Sequence, residues 1–144
     1  MNREDYGTDF FLLDTCIVSF LFKGDIRANR FRPYIERGSC VVSFMTIAEL
    51  KRWTMVANWG PRRIQELGSL LGRFGRFEEV DEKLCECWAY ITHYRQPVKG
   101  QSDKAVSCAD AWIAASALAL GIPLLTNNRS HFEGIEGLVV PDPA

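Results

Sequence analysis

Short unbroken apolar runs alternate along this chain with longer stretches in which apolar residues recur every three or four positions. The first kind suits strands covered on both faces, and the second suits helices with one buried face. Strands are predicted at residues 10–14, 40–44 and 123–126, with a short one at 77–80 and an edge strand at 138–140. Between them, helices are predicted from 15 to 22, 26 to 36, 46 to 59 and 61 to 74, with Gly60-Pro61 breaking the last two into a hairpin. Asp81 is placed as N-cap of a helix carrying Leu84, Trp88 and Ile91, and Ser107 opens the most apolar helix, 109–120, closed by Gly121. Residues 1–8 read as a loosely held polar start and 97–104 as loop. Strands alternating with helices imply parallel pairing, so the expected fold is α/β: a three-layer α/β/α sandwich around a central parallel sheet of four to five strands.

Composition narrows this picture. A chain of 144 residues with 47% hydrophobic content can bury one core, so a single domain over 1–144 is expected. Lys and Arg number 17 against 18 Asp and Glu, which excludes the global basic field of a constitutive nucleic-acid binder. Any polyanion site must be local. The five cysteines, Cys16, Cys40, Cys85, Cys87 and Cys108, are odd in number and mostly embedded in apolar runs, which argues for a reducing compartment rather than a disulfide framework. Cys85 and Cys87 have no second pair at zinc spacing. No leader-like segment opens the chain and no apolar run reaches the ~18 residues of a membrane span. A cytoplasmic protein with no membrane partner is the expectation.

The candidate chemistry lies in three acids. Asp14 ends the first apolar strand, Glu49 sits early in the helix after the second, and Asp110 sits in the first turn of the Ala-rich helix. Parallel strands end on one rim, where ligands of open α/β sheets bind, so Asp14 and Glu49 are expected there together. Asp110 joins them if its helix begins at that rim. Three such acids repel one another unless a hard cation, Mg²⁺ or Mn²⁺, holds them. A cation there could activate water and clamp a phosphodiester oxygen. A plainer reading stands beside this one: Ser107-x-x-Asp110 and Thr46-x-x-Glu49 both match the capping box, and Asp14 could simply cap a helix.

Leu13-Asp14-Thr15, then SFMTIAEL at 43–50, ADAWIAASAL at 109–118 and LTNNRSHF at 125–132 resemble, in order and spacing, the PIN-domain ribonucleases of the VapC toxin type. The resemblance implies a Mg²⁺- or Mn²⁺-dependent endoribonuclease acting on RNA, a small cognate antitoxin that blocks it, and a homodimer. Position by position it assigns Asp14, Glu49 and Asp110 to the family's metal-binding acids, with Asn128 at the polar catalytic position after the fourth strand. Two departures stand out. Cys16 replaces a common Asn, and no acid follows Thr126, which leaves the fourth corner to Asn128, with His131 nearby. Thr15 and Thr126 are candidates to hydrogen-bond the acids.

For RNA contact the candidates are Lys51, Arg52, Arg62, Arg63, Arg73 and Arg76, since phosphate pairing positions a strand without reading its sequence. Trp53 and Trp59 are either interface anchors or core. A haloacid-dehalogenase-like phosphatase is excluded by Cys16, which stands where that chemistry needs a second Asp, and a phospho-receiver domain by the missing acidic pair. The rival readings are a non-catalytic PIN-like module that binds RNA or protein, and a PIN nuclease of RNA processing that has no antitoxin.

Overall fold

The computed structural model describes residues 9–94 and 106–143; the segments 1–8 and 97–104 fall largely or wholly outside them. Strand β1 (Phe10–Leu13) runs into helix α1 (Thr15–Lys23), followed by a 3-10 segment (Ile26–Phe31) and α2 (Arg32–Arg37). Then come β2 (Ser39–Ser43), the hairpin α3 (Phe44–Val56) and α4 (Pro61–Leu71), and β3 (Gly75–Phe77). Helices α5 (Glu82–Tyr94) and α6 (Cys108–Leu120), strand β4 (Leu124–Leu125) and a 3-10 turn (Arg129–His131) complete the order.

The sheet is parallel throughout, in the order β3-β2-β1-β4. β1 is central because it is the most apolar strand, with Phe11, Leu12 and Leu13 all buried. Its period of two divides the core. Phe11 and Leu13 pack with Ile17, Phe20, Phe31, Ile47 and Leu50 on one face, and Leu12 packs with Leu84, Ile91, Ile113 and Leu124 on the other. The three layers expected from the alternation are therefore present. Ala111, Ala114, Ala115 and Ala117 are all buried, so α6 lies close against the sheet.

Four local expectations shift, each for a physical reason. The helix expected over 26–36 divides before Pro33, which lacks an N–H and would clash with the carbonyl of Asn29 in a continuous α-helix; a 3-10 turn precedes it and α2 starts with proline in its first turn. Phe44 belongs to α3 rather than to β2, because Ser43 is extended and its hydroxyl accepts the Thr46 N–H. Thr46 is therefore inside the helix, and the Thr46-x-x-Glu49 capping box does not form. β3 lies at Gly75–Phe77 rather than 77–80, since pairing Ser43 with Phe77 ends both strands at the same rim. Residues 138–140 form no strand; Val139 accepts one hydrogen bond from Leu124 N–H at 2.9 Å, between Gly137 and the chain-stopping Pro141.

Gly24 and Gly121 close α1 and α6 in the left-handed conformation, at φ 66° and 69°. Gly38 matters for space instead. A Cβ there would stand 2.6 Å from the Asp9 carbonyl oxygen and 2.8 Å from the Phe11 ring. Gly38→Ala is expected to destabilise the fold by about 1–3 kcal/mol, the usual cost of overpacking, read as a lower urea midpoint with an unchanged m-value.

Candidate active site

The site is assembled where three helices begin at the carboxyl edge of the sheet. Asp14 leaves β1 extended and caps α1: its Oδ1 accepts the Thr15 N–H at 2.8 Å. Its backbone N–H donates to the Leu125 carbonyl, which brings the next residue of the neighbouring strand, Thr126, alongside. Thr126 Oγ1 then donates to Asp14 Oδ2 at 2.6 Å, and the Cys16 thiol donates to the same oxygen at 3.4 Å. Asp14 is 4% exposed, so these groups replace the water it would otherwise have.

Glu49 lies in the second turn of α3, half-buried. Thr15 Oγ1 donates to its Oε1 at 2.7 Å and sits 3.1 Å from the buried Thr46 hydroxyl, so one threonine joins the first two acids. Asp110 enters from α6. Its N–H is capped by Ser107 Oγ at 3.1 Å, and its Oδ2 lies 3.1 Å from His131 Nδ1. Asn128 is tied in by its backbone, whose N–H donates to Thr126 Oγ1 at 3.0 Å; its side chain is exposed and makes no hydrogen bond among the described residues.

Burial pushes the Asp14 carboxyl above its ordinary range, opposed by the Thr126 hydrogen bond and reinforced by the charge of Asp110. Burial likewise raises Glu49, opposed by Thr15 and reinforced by the charges of Asp14 and Asp110. The three acids therefore share one electrostatic neighbourhood, and among the described residues no Lys or Arg contributes to either shift. The Cys16 thiol is pushed up to about 12 by burial and by Asp14, so it stays neutral and able to donate. Cys16 thus keeps a weak polar contact at the position where the resemblance leads one to expect Asn.

Among the described residues no three His, Cys, Asp or Glu groups converge to direct metal-ligand spacing. The donor set is nevertheless all carboxylate, mutually repelling and without a paired Lys or Arg, and Mg²⁺-type cations are commonly held through one or two carboxylates with waters completing the shell. The residues fit such an ion. Of the basic candidates, Lys51, Arg52, Arg62, Arg63, Arg73 and Arg76 are all exposed, and Arg76 pairs with Glu78 at 3.5 Å. Trp53 and Trp59 are half-buried against one another, 4.5 Å between ring centroids. Ser43 caps α3, a place the sequence reading gives to Thr46, whose hydroxyl instead meets Thr15; a serine three residues before Thr46 is the signal for that cap.

An acid-lined carboxyl edge on a parallel sheet with helices on both faces defines the class: an α/β protein whose candidate site lies at its strand ends. The chain belongs to the PIN domain family, whose sequence model matches residues 11–137. It is 33% identical over 109 residues to ribonuclease VapC4 of Mycobacterium tuberculosis, covering 74% of this chain and 80% of the relative. It is 28% identical over 130 residues to ribonuclease VapC1 of Haemophilus influenzae, covering 89% and 93%. The solved structure of VapBC-1 from nontypeable Haemophilus influenzae superposes with a TM-score of 0.76 at 26% identity, covering 92% and 97%. VapBC2 from Rickettsia felis, bound to a promoter DNA fragment, has a TM-score of 0.74 at 19% identity over 92% and 97%, which speaks to the fold. Among the described residues no helix is long and apolar enough to cross a membrane.

A carboxyl group whose folded pKa exceeds its unfolded value contributes stability that is fully present below the unfolded pKa and is lost as pH rises through the folded one. Ionisation of Asp14 as pH rises therefore weakens the metal-free fold. Asp14→Asn is expected to raise the Tm of metal-free protein at pH 7 by roughly 2–6 °C, the span of about 1 kcal/mol for a domain of this size. The gap should close as pH falls towards the ordinary Asp value of 3.8. Thermal melts across pH check both parts.

Proposed function

We infer that this protein is a PIN-domain endoribonuclease, the toxin half of a toxin–antitoxin pair, which hydrolyses RNA phosphodiesters with a divalent cation held at Asp14, Glu49 and Asp110. The observation that carries the reading is the gathering of these three carboxylates at the starts of three helices, with Thr15 joining Asp14 to Glu49 and the charge of Asp110 acting on both. Family membership and relatives named ribonuclease VapC point the same way. Structural neighbours that are VapBC complexes support a small antitoxin as partner. The cation is Mg²⁺ or Mn²⁺, matching an all-oxygen donor set. A homodimer in the cytoplasm, each copy one domain over 1–144, completes the proposal.

The place of each acid at the rim and, for Glu49, the oxygen left open assign the roles. Asp14 and Asp110 are the direct ligands. Glu49 has Oε1 taken by Thr15, which leaves Oε2 to accept a proton from water, and its raised affinity for protons suits a base. Thr15 and Thr126 hold Glu49 and Asp14 in place. Asn128 offers a neutral amide at the fourth corner, so the donor set supports one cation rather than two. When bound, that cation supplies Lewis-acid activation of water and charge neutralisation at the phosphodiester.

Purified antitoxin-free protein is expected to cut members of a structured RNA panel with Mg²⁺ or Mn²⁺ and to lose all cutting in EDTA. Asp110→Asn should abolish cleavage while remaining folded by circular dichroism. Glu49→Gln should lower kcat by roughly 10²–10⁴-fold, as removal of a general base does. A folded wild type that cuts nothing in the panel with either metal would return the protein to the class of binding modules.

A further inference from the structure

The open cleft at the far end of α1 has no part in the chemistry described above. It has a volume of about 570 Å³ and is lined by Phe22, Lys23, Gly60, Pro61, Arg62, Arg63 and Glu66. Phe22 is the aromatic residue of its wall, and two tryptophans pack behind it. Phe22 stacks on Trp59 with centroids 5.2 Å apart, and Trp53 lies 4.5 Å from Trp59. Cations cover these rings: Arg63 stands 4.2 Å over Trp59 and 5.7 Å over Phe22, and Lys23 stands 5.0 Å over Trp53. Among the described residues neither Arg63 nor Lys23 forms a salt bridge. The one acid in the lining, Glu66, is paired with Arg62 at 3.5 Å.

A guanidinium stacked on a ring has its faces occupied and its N–H edge free, which is the orientation that meets a phosphate. Two of the helices that carry the carboxylates also reach this cleft or the rings behind it. Trp53 is one turn beyond Glu49 on the same face of α3, and Phe22 is eight residues beyond Asp14 along α1, roughly 12 Å of helix. We propose that this cleft binds the phosphate backbone of the RNA substrate, with Lys23 and Arg63 as the phosphate contacts that hold a strand whose scissile bond lies at the acids.

This rests on the ribonuclease reading and deepens it by assigning where the strand runs. RNA is favoured over a protein partner because cations lie over the rings that could anchor one, and Lys23 and Arg63 form no salt bridge among the described residues. The exposed Met55, Val56 and Ile64 belong to the same hairpin but do not line the cleft.

The test measures fluorescence anisotropy of a labelled single-stranded RNA oligonucleotide with Asp110→Asn protein in EDTA, across a salt series. The comparison protein adds Lys23→Gln and Arg63→Gln. Loss of two phosphate contacts should reduce the log–log salt slope by about 1.4, at roughly 0.7 per contact for single strands. Arg63→Lys, with Lys23 intact, should recover most of the slope because the charge is kept. In the wild-type background with metal, the double variant should raise KM for RNA cleavage and leave kcat unchanged. An unchanged slope in a folded double variant overturns the proposal. So does loss of binding to the co-expressed antitoxin with RNA binding intact, which would assign the cleft to a protein. RNA that binds with the expected slope but is never cut by wild type with metal would sink the nuclease reading and leave the cleft standing. Cutting with an undiminished slope would do the reverse.

Discussion

The structure depends on keeping a carboxylate nearly dry at the end of its central strand. Asp14 is 4% exposed, and its oxygens are met by a backbone N–H, a threonine hydroxyl and a thiol. Those partners offset the loss of water without supplying a positive charge, so the group remains harder to ionise than a free aspartate. The arrangement needs β1 in the middle of the sheet. Only there does a neighbouring strand deliver Thr126 while α1 folds back over the other side with Thr15 and Cys16.

Helix starts supply the rest of the geometry. α1, α3 and α6 all begin at this rim, and the positive ends of their dipoles partly relieve the repulsion between acids placed among them. Capping and function are therefore not alternatives here. Asp14 caps α1 through Oδ1 while Oδ2 takes Thr126. Ser107 caps α6, which leaves the Asp110 carboxylate free to approach His131 and to act on Asp14 and Glu49. For Glu49 the capping reading fails, because Ser43 already caps α3 and puts Glu49 one turn further in.

Two kinds of chemistry lie apart along the molecule. At the rim, acids are gathered; two turns or more further along α1, and at the start of α4, Lys23 and Arg63 are laid over aromatic rings and form no salt bridge among the described residues. A near-neutral chain, 17 basic against 18 acidic residues, thus carries two local fields of opposite sign. Average composition conceals that, since charge acts over about a Debye length rather than over the whole surface.

Apolar periodicity alone determined the layer architecture, the central place of the run ending at Asp14 and the helix that carries Asp110, because burying apolar surface on a two-sided sheet leaves few other arrangements. Spacing also singled out Asp14, Glu49 and Asp110, and the family resemblance added Asn128, with Thr15 and Thr126 as candidates to hydrogen-bond the acids. What tertiary structure decided were matters of distance between residues far apart in the chain: Thr15 joining Glu49, Thr126 reaching Asp14 across 112 positions, Cys16 turning its thiol to the same oxygen, and Lys23 coming to lie over Trp53. Local boundaries moved for a related reason. Residues 138–140 have the composition of a strand but pair through a single hydrogen bond, and Phe44 reads as strand until Ser43 caps the helix. A sequence pattern reports which face a residue must bury, whereas register and capping are settled only when the partner element arrives.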